Sequence, residues 1–262
     1  MDLIDNINYS ASNDIICLDS RLVPWDTLVF GFPVAEIASL TIKNPMLAQE
    51  QFNLFKQWVN DNGFKLISSR LPDGQMVESM FLQRNNFRFV EMVCQPYLRD
   101  LQSYEILASE MAVDVVEETE LSLIINMAEK AFEYERYHVD PRCESYLADL
   151  RYANWVKSSF NSSNQTLLKV FLKSEIIGFF IIEYKDKSSV YWHLTAVNPL
   201  FRKKRIGYEV WMTMLNYHKC HSIKTVLTTI SMRNLPVLNL YTKLGFRFTN
   251  SSITHHWHKL DD

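Results

Sequence analysis

Cysteine is scarce and scattered in this sequence. The four cysteines, Cys17, Cys94, Cys143 and Cys220, form no Cys-x-x-Cys pair and no spaced set of Cys and His of the kind that zinc sites use. This pattern argues against a disulfide framework and against a zinc site. We therefore expect reduced cysteines, mostly buried, and no metal.

Long apolar runs and an excess of one charge are also lacking. The longest apolar run, residues 176–182, is far shorter than the roughly 20 residues that a membrane span needs. The net charge is -3, so the composition shows no bias toward nucleic acid or another polyanion. The first five residues, MDLID, lack the basic and apolar regions of a signal peptide. We expect a cytoplasmic protein that binds neither membranes nor nucleic acid.

Histidines are concentrated near the C-terminus, in the run His255-His256-Trp257-His258. Alternation along a strand would place only His256 and His258 on one face. The pattern favours a surface strand, with metal binding by that pair as the alternative.

The central feature of the sequence is a junction of strand, basic turn and helix. Residues 190–197 are rich in β-branched and aromatic side chains and end at an Asn-Pro pair, which predicts a strand. From Ile206 onward apolar residues recur at helical spacing, so a helix is predicted from about Arg205. Four cations stand at this helix start, where free backbone N–H groups favour a phosphate. The alternative is an exposed basic helix end or a nucleic-acid patch.

A second strand and helix follow this junction. Residues 223–230 predict a strand, and Asn234 is a good N-cap for the helix after it. Pro236 is tolerated in a first turn, and Gly245 supplies a left-handed residue that ends the helix.

These two segments resemble the signatures of the GCN5-related N-acetyltransferases. The family's acyl-CoA loop, Arg/Gln-x-x-Gly-x-Gly/Ala, is matched here by residues 202–207, with Arg205 in place of the first glycine. Its second signature, Asn followed seven residues later by Tyr and then by Gly-Phe, is matched by Asn234, Tyr241 and Gly245-Phe246. The resemblance implies an α/β fold with a mixed central sheet flanked by helices, and acetyl-CoA as co-substrate.

The resemblance also implies roles for individual residues. The pantetheine arm and the oxyanion would be held by strand backbone, and the pyrophosphate by the basic loop. The strand residues are Thr195, Ala196 and Val197. The residues of the basic loop are Arg202, Lys203, Lys204, Arg205, Ile206 and Gly207. Asn234 would contact the CoA arm and Tyr241 would protonate the departing thiolate; the alternative for Tyr241 is an ordinary core tyrosine. The general base stays open between His193, Glu183 and water.

The N-terminal part repeats the end of the chain in outline. Residues 81–89 align with residues 240–248, with Asn86 in place of Gly245 and Leu82 in place of Tyr241. Among residue types, Asn is second only to Gly in tolerating a left-handed conformation. We infer two domains: a smaller, truncated domain of the same type over residues 1–105 and a catalytic domain over residues 106–262. The smaller domain is expected to bind no second acyl-CoA and to shape the acceptor pocket. Residues 22–34 read as a turn-broken entry to a strand.

With both halves included, the resemblance narrows to the bacterial dTDP-fucosamine acetyltransferases. These enzymes acetylate the 4-amino group of dTDP-linked 4-amino-4,6-dideoxygalactose for surface polysaccharide. The similarity is carried by Trp25-Asp26 with Phe30-Gly31, by the segment from Phe132 to Trp155, and by the helix from Met232 to Tyr241 with the aromatic terminal strand at Trp257. It implies a small-molecule amine acceptor on a nucleotide sugar, and a homodimer.

Acceptor residues are predicted mainly between the helices near residues 121–132 and 146–156. Arg136, His138 and Arg142 suit a diphosphate, and Trp25, Tyr137 or Trp155 suit stacking on a base or sugar, with His193 as a further candidate. The alternative is a solvated loop with ordinary charge pairs. Two other functions stay open: acetylation of another small amine or a peptide, and a silent module that only binds acyl-CoA.

Overall fold

The computed structural model describes residues 7–106, 109–204 and 206–259. Short 3₁₀ helices cover Leu101–Ser103 and Pro199–Lys204. In chain order the strands and α-helices are β1 (Asn8–Ser12), β2 (Ile16–Leu22), α1 (Pro24–Phe30), β3 (Val34–Ile42), α2 (Ala48–Asp61), β4 (Leu66–Pro72), α3 (Met76–Arg84), β5 (Arg88–Leu98), β6 (Ala112–Val115), α4 (Glu118–Glu129), α5 (Arg136–Val139), α6 (Ser145–Phe160), β7 (Thr166–Leu172), β8 (Glu175–Tyr184), β9 (Ser189–Val197), α7 (Gly207–Cys220), β10 (Thr225–Thr228), β11 (Ile230–Ser231), α8 (Leu235–Lys243) and β12 (Arg247–His258).

The chain forms two compact units. The first contains the described residues up to Val93, Val139–Leu147 and the described residues from Asn250; the second contains the described residues of Cys94–His138 and Ala148–Thr249. The predicted division at residues 105 and 106 stays a prediction.

The first unit is built on strands in the order β1-β2-β3-β4-β12. β3 and β4 are parallel, and α2 connects them as the crossover that parallel strands require. The apolar face of α2, including Phe52 and Phe55, packs into a core of aromatic and aliphatic side chains.

The second unit has its strands in the order β5-β10-β9-β8-β7-β6. On one side of the core, Trp211 and Met214 of α7 pack with Tyr241 of α8. Another cluster contains Ile124 of α4 and Val156 of α6. The predicted α/β class, a mixed sheet flanked by helices, is confirmed.

The repeat seen in the sequence recurs in the backbone. Asn86 (φ 69°) and Gly245 (φ 81°) are both left-handed residues between a helix and the strand after it. Asn234 is the N-cap of α8, and its side-chain oxygen accepts from the backbone N–H of Val237 at 3.3 Å.

One detail of the predicted secondary structure is wrong, and one element pair was not predicted. Pro24–Phe30 is a helix rather than a turn-broken entry, because Pro24 suits a first helical turn and Gly31 (φ 72°) ends it. The chain before it forms the antiparallel pair β1 and β2, for which no prediction was made from the sequence.

The expectation of a surface strand at the C-terminal histidines is also wrong. His255 and His256 are fully buried, because β12 pairs with β4 from Ser252 to His258. Alternation holds: His256 and His258 both contact Asp140, whereas the other face carries His255 against Ser79. Cysteine burial is likewise lower than expected, since of the four only Cys94 is buried.

Among the described residues, the helices are all too short or too polar to reach across a bilayer.

Candidate active site

β9 leaves part of its edge open in the second unit. The first half of β9 pairs in parallel with β10. Among the described residues, the last pair of this register is Trp192 with Thr228. On the other edge, Ile181 and Ile182 of β8 face Leu194 and Trp192, so His193 is the extra residue of a bulge. Residues 195–197 therefore continue past the end of β10 with backbone groups available to a ligand.

A cavity of about 600 Å³ lies beside this open edge. Its walls come from the end of β9, the start of α7, the start of α8 and the loop after α4. The lining residues are Ala131, Phe132, Glu133, Tyr134, Glu135, Thr195, Ala196, Val197, Gly207, Tyr208, Trp211, Asn234, Pro236, Val237 and Leu240.

The structure brings many of the predicted cofactor residues together at this cavity. Thr195, Ala196, Val197, Gly207 and Asn234 line it. Ile206 is the residue before α7. Arg202, Lys203 and Lys204 fall in the 3₁₀ helix that leads there, and Arg205 lies outside the described residues.

Tyr241 lies one layer behind the cavity wall. Its side chain is 1% exposed, and it is not among the lining residues. Burial raises the pKa of Tyr241, and the neighbouring side chains of Trp211, Thr228 and Thr195 act in the opposite direction. The hydroxyl is thus protonated at neutral pH and is close to two residues of the wall, Trp211 and Thr195.

His193 and Glu183 form a hydrogen-bonded pair on neighbouring strands. His193 Nε2 lies 2.7 Å from Glu183 Oε2, and the ring of Trp155 is 6.1 Å from the ring of His193. Hydrogen bonds from Lys185 and His193 lower the pKa of Glu183. An ionised Glu183 accepts, so Nε2 carries the proton and Nδ1 is left as the basic nitrogen. Neither residue lines the cavity.

The loop after α4 contributes polar and aromatic groups to the cavity, through Phe132, Glu133, Tyr134 and Glu135. The predicted acceptor residues that follow have other partners. Tyr137 is buried between the guanidinium groups of Arg136 (4.6 Å) and Arg151 (5.3 Å). His138 bonds Asp149 at 3.0 Å and stacks on Tyr152.

Two predicted acceptor residues belong to the first unit. Trp25 is 57% exposed on α1. Arg142 donates from Nε and Nη2 to the two oxygens of Asp140, at 2.8 Å each. Their roles in acceptor binding stay predictions.

The sequence reasoning missed several apolar members of the wall, namely Tyr208, Trp211, Pro236, Val237 and Leu240. Their helical spacing was visible, but it indicated a core face equally well. Part of this face becomes a cavity wall because β9 continues beyond the last residue of β10.

Residues 124–246 match the model of the Acetyltransferase (GNAT) family. The predicted resemblance to this family is therefore confirmed over these residues.

One curated protein is similar to part of the chain. The spore coat polysaccharide biosynthesis protein SpsD of Bacillus subtilis (strain 168) is 23% identical over 133 residues, which cover 51% of this chain and 46% of that protein. The chain thus matches about half the length of this curated relative.

Solved structures show the same fold. A functionally unknown conserved protein from Staphylococcus epidermidis ATCC 12228 has a TM-score of 0.68 at 12% identity, covering 98% of this chain and 96% of that one. A GCN5-related N-acetyltransferase from Sphaerobacter thermophilus has a TM-score of 0.63 at 9% identity, covering 94% and 81%.

Proposed function

We propose that this protein is an acetyl-CoA-dependent N-acetyltransferase whose acceptor is the amino group of a nucleotide-linked sugar of the dTDP-4-amino-4,6-dideoxygalactose type. The observation that carries the proposal is the cavity between the open edge of β9 and the starts of α7 and α8. The polysaccharide assignment of the B. subtilis relative supports a sugar acceptor.

The cofactor would enter along β9. Backbone groups of Thr195 to Val197 would pair with the pantetheine arm as an added strand does, and one of their N–H groups would stabilise the oxyanion. The start of α7, preceded by Arg202, Lys203, Lys204, Arg205 and Ile206, would hold the pyrophosphate at Gly207. Asn234 would contact the CoA arm.

Acetyl transfer also needs a neutral amine and an acid for the thiolate. Tyr241 would supply the proton, for which its raised pKa keeps it protonated. His193, oriented by Glu183, would take the proton from the ammonium group through Nδ1, directly or through water. Attack of the amine then forms the C–N bond, and the C–S bond breaks as the thiolate is protonated.

A second acceptor class has its own support. Glu133 and Glu135 line the cavity, and their carboxylates suit a cationic amine better than a diphosphate. Another small amine or a peptide is therefore the second candidate.

The first test is thiol release from acetyl-CoA, with dTDP-4-amino-4,6-dideoxygalactose beside a panel of simple amines. The matched control is the same nucleotide sugar with a 4-hydroxyl group in place of the amine, which cannot form an amide. Turnover with the amino sugar alone supports the proposal. Turnover with another amine keeps the acetyltransferase and removes the sugar; CoA binding without any turnover indicates a silent acyl-CoA-binding module.

The remaining expectations are a cytoplasmic location, a homodimer and no nucleic-acid or membrane partner. They rest on composition and resemblance, and they stay predictions.

A further inference from the structure

A cluster of His, Cys and Asp side chains lies in the first unit. Asp140 and Cys143 come from the segment between α5 and α6, and His256 and His258 come from the end of β12. Their ligand atoms all lie within 4.8 Å of one another. Asp140 and His256 are buried, and Cys143 and His258 are partly buried.

The two imidazoles converge on one carboxylate oxygen. His256 Nδ1 is 2.9 Å and His258 Nε2 is 3.1 Å from Asp140 Oδ2, and Cys143 Sγ is 4.0 Å from His258 Nε2. Arg142 Nη2 reaches the same oxygen at 2.8 Å. Three donors on one oxygen crowd it, because a carboxylate oxygen offers about two lone-pair sites.

A metal ion suits this spacing. Ligand atoms bound to a tetrahedral zinc ion at about 2.0–2.3 Å lie roughly 3.3–3.8 Å apart. The separations of 2.9, 3.1 and 4.0 Å lie on both sides of that range, and the remaining pairs lie within 4.8 Å, so small movements of the four side chains would bring their ligand atoms to these distances. Thiolate, imidazole and carboxylate are the three ligand types that zinc takes in proteins.

Arg142 fits as an outer partner of such a site. Its Nε donates to Asp140 Oδ1 at 2.8 Å, which orients the carboxylate and leaves Oδ2 facing the imidazoles. Hydrogen bonds of this kind fix the direction of metal ligands in known sites. The guanidinium also offsets part of the negative charge of Asp140 and a Cys143 thiolate.

We propose that Asp140, Cys143, His256 and His258 form a four-coordinate zinc site that ties the segment before α6 to the end of β12. Four protein ligands leave no open position, so the site is structural rather than catalytic. The proposal is independent of acetyl transfer, and its test needs no acyl acceptor.

The test uses the full chain, stripped with a chelator and then titrated with Zn²⁺ or Co²⁺. We expect one equivalent of zinc per chain, a higher melting temperature with zinc, and for Co²⁺ a thiolate charge-transfer band with the absorption of four-coordinate cobalt. Cys143→Ser should abolish the thiolate band and weaken zinc binding at least ~10-fold, since even outer partners contribute that much.

Cys220→Ser is the matched control, because Cys220 is exposed and outside the cluster; it should bind both ions like the original chain. If Cys143→Ser fails to fold, His258→Gln replaces it as the cluster variant. Its circular dichroism is compared with that of the original chain to show that it is folded. Equal zinc affinity in the original chain and a folded cluster variant would overturn the proposal, as would a chain that takes up neither ion.

Discussion

At the scale of single residues, burial separates the two groups proposed to move protons. Tyr241 is 1% exposed, whereas the side chains of His193 and Glu183 are 19% and 28% exposed. A buried phenol keeps its proton until a thiolate forms beside it, and a partly exposed imidazole can pass a proton on to water. The order of burial therefore agrees with Tyr241 as acid and His193 as base.

Replacing Tyr241 by Phe tests the acid role. Tyr241→Phe should leave CoA affinity unchanged and lower turnover by roughly 10²–10⁴-fold, because only the proton donor is removed. Calorimetric CoA binding and steady-state thiol release measure the two effects. Tyr146→Phe, at a tyrosine 63% exposed, is the control. Unchanged turnover in Tyr241→Phe would leave Tyr241 as a core residue.

A buried histidine makes stability depend on pH. Burial, together with His221, lowers the pKa of His218 to about 3, and Trp192 Nε1 donates to His218 Nε2 at 2.9 Å. In the unfolded chain the imidazole titrates near 6.5, so unfolding takes up a proton between about pH 6.5 and pH 3. The free energy of unfolding should fall there as pH falls, by up to about 1.4 kcal/mol per pH unit.

Denaturant unfolding at several pH values measures this contribution. His218→Gln keeps an acceptor for Trp192 but cannot titrate, so it should lose less stability on acidification than the original chain. His221→Gln, at an exposed histidine of the same helix end, should retain the steep dependence. Parallel curves for the original chain and His218→Gln would contradict the assignment.

At the scale of elements, the cavity depends on how closely β8 approaches β9. Gly178 of β8 faces Val197, and a Cβ added to Gly178 would lie 2.7 Å from the Ala196 carbonyl oxygen and 3.3 Å from Val210 Cγ1. No side chain fits there unless β9 or α7 moves. Since Ala196, Val197 and Gly207 line the cavity, that movement would reach the candidate cofactor site.

Gly178→Ala should therefore weaken both folding and cofactor binding. Overpacking of this kind costs about 1–3 kcal/mol, and a comparable loss in CoA binding corresponds to a roughly 5–150-fold higher Kd. Denaturant unfolding and calorimetry measure the two quantities. Gly74→Ala is the control, because a Cβ at Gly74 would meet nothing within 4 Å. Original CoA affinity in Gly178→Ala would show that the wall does not depend on this contact.

At the scale of the whole molecule, each half of the chain supplies a strand to the other half's unit. β5 follows α3, yet its end pairs with β10 through Tyr97 and Leu98 in the second unit. β12 follows α8, yet from Asn250 it belongs to the first unit and pairs with β4. Neither unit is therefore a continuous stretch of chain.

This exchange predicts the behaviour of a fragment. Residues 1–105 lack β12, so β4 would present an open edge and the side of the core near Trp257 would be uncovered. We expect the fragment to aggregate or to unfold without a cooperative transition. The same fragment joined through a flexible linker to residues 250–259 should recover one, as followed by near-UV circular dichroism. Cooperative unfolding of the bare fragment would instead support 1–105 as an independent domain.

Local features of the fold were predictable because a few neighbouring residues determine them. Asn234 caps α8, Asn86 and Gly245 take left-handed conformations after their helices, and residues 189–197 form a strand. Much of the candidate cofactor site was predictable for the same reason, since it lies on two such local patterns. The α1 helix and the β1–β2 pair were missed, because these elements are too short for a clear periodicity.

By itself, the sequence determined the class of fold, the family resemblance of residues 124–246 and the position of the strand, turn and helix beside the cavity. The tertiary structure alone decided which strands pair, which histidines are buried and how Asp140 meets His256, 116 positions away. The physical reason is that caps and periodicities act between neighbours in the chain, whereas strand exchange and side-chain clusters join distant segments that share no local pattern.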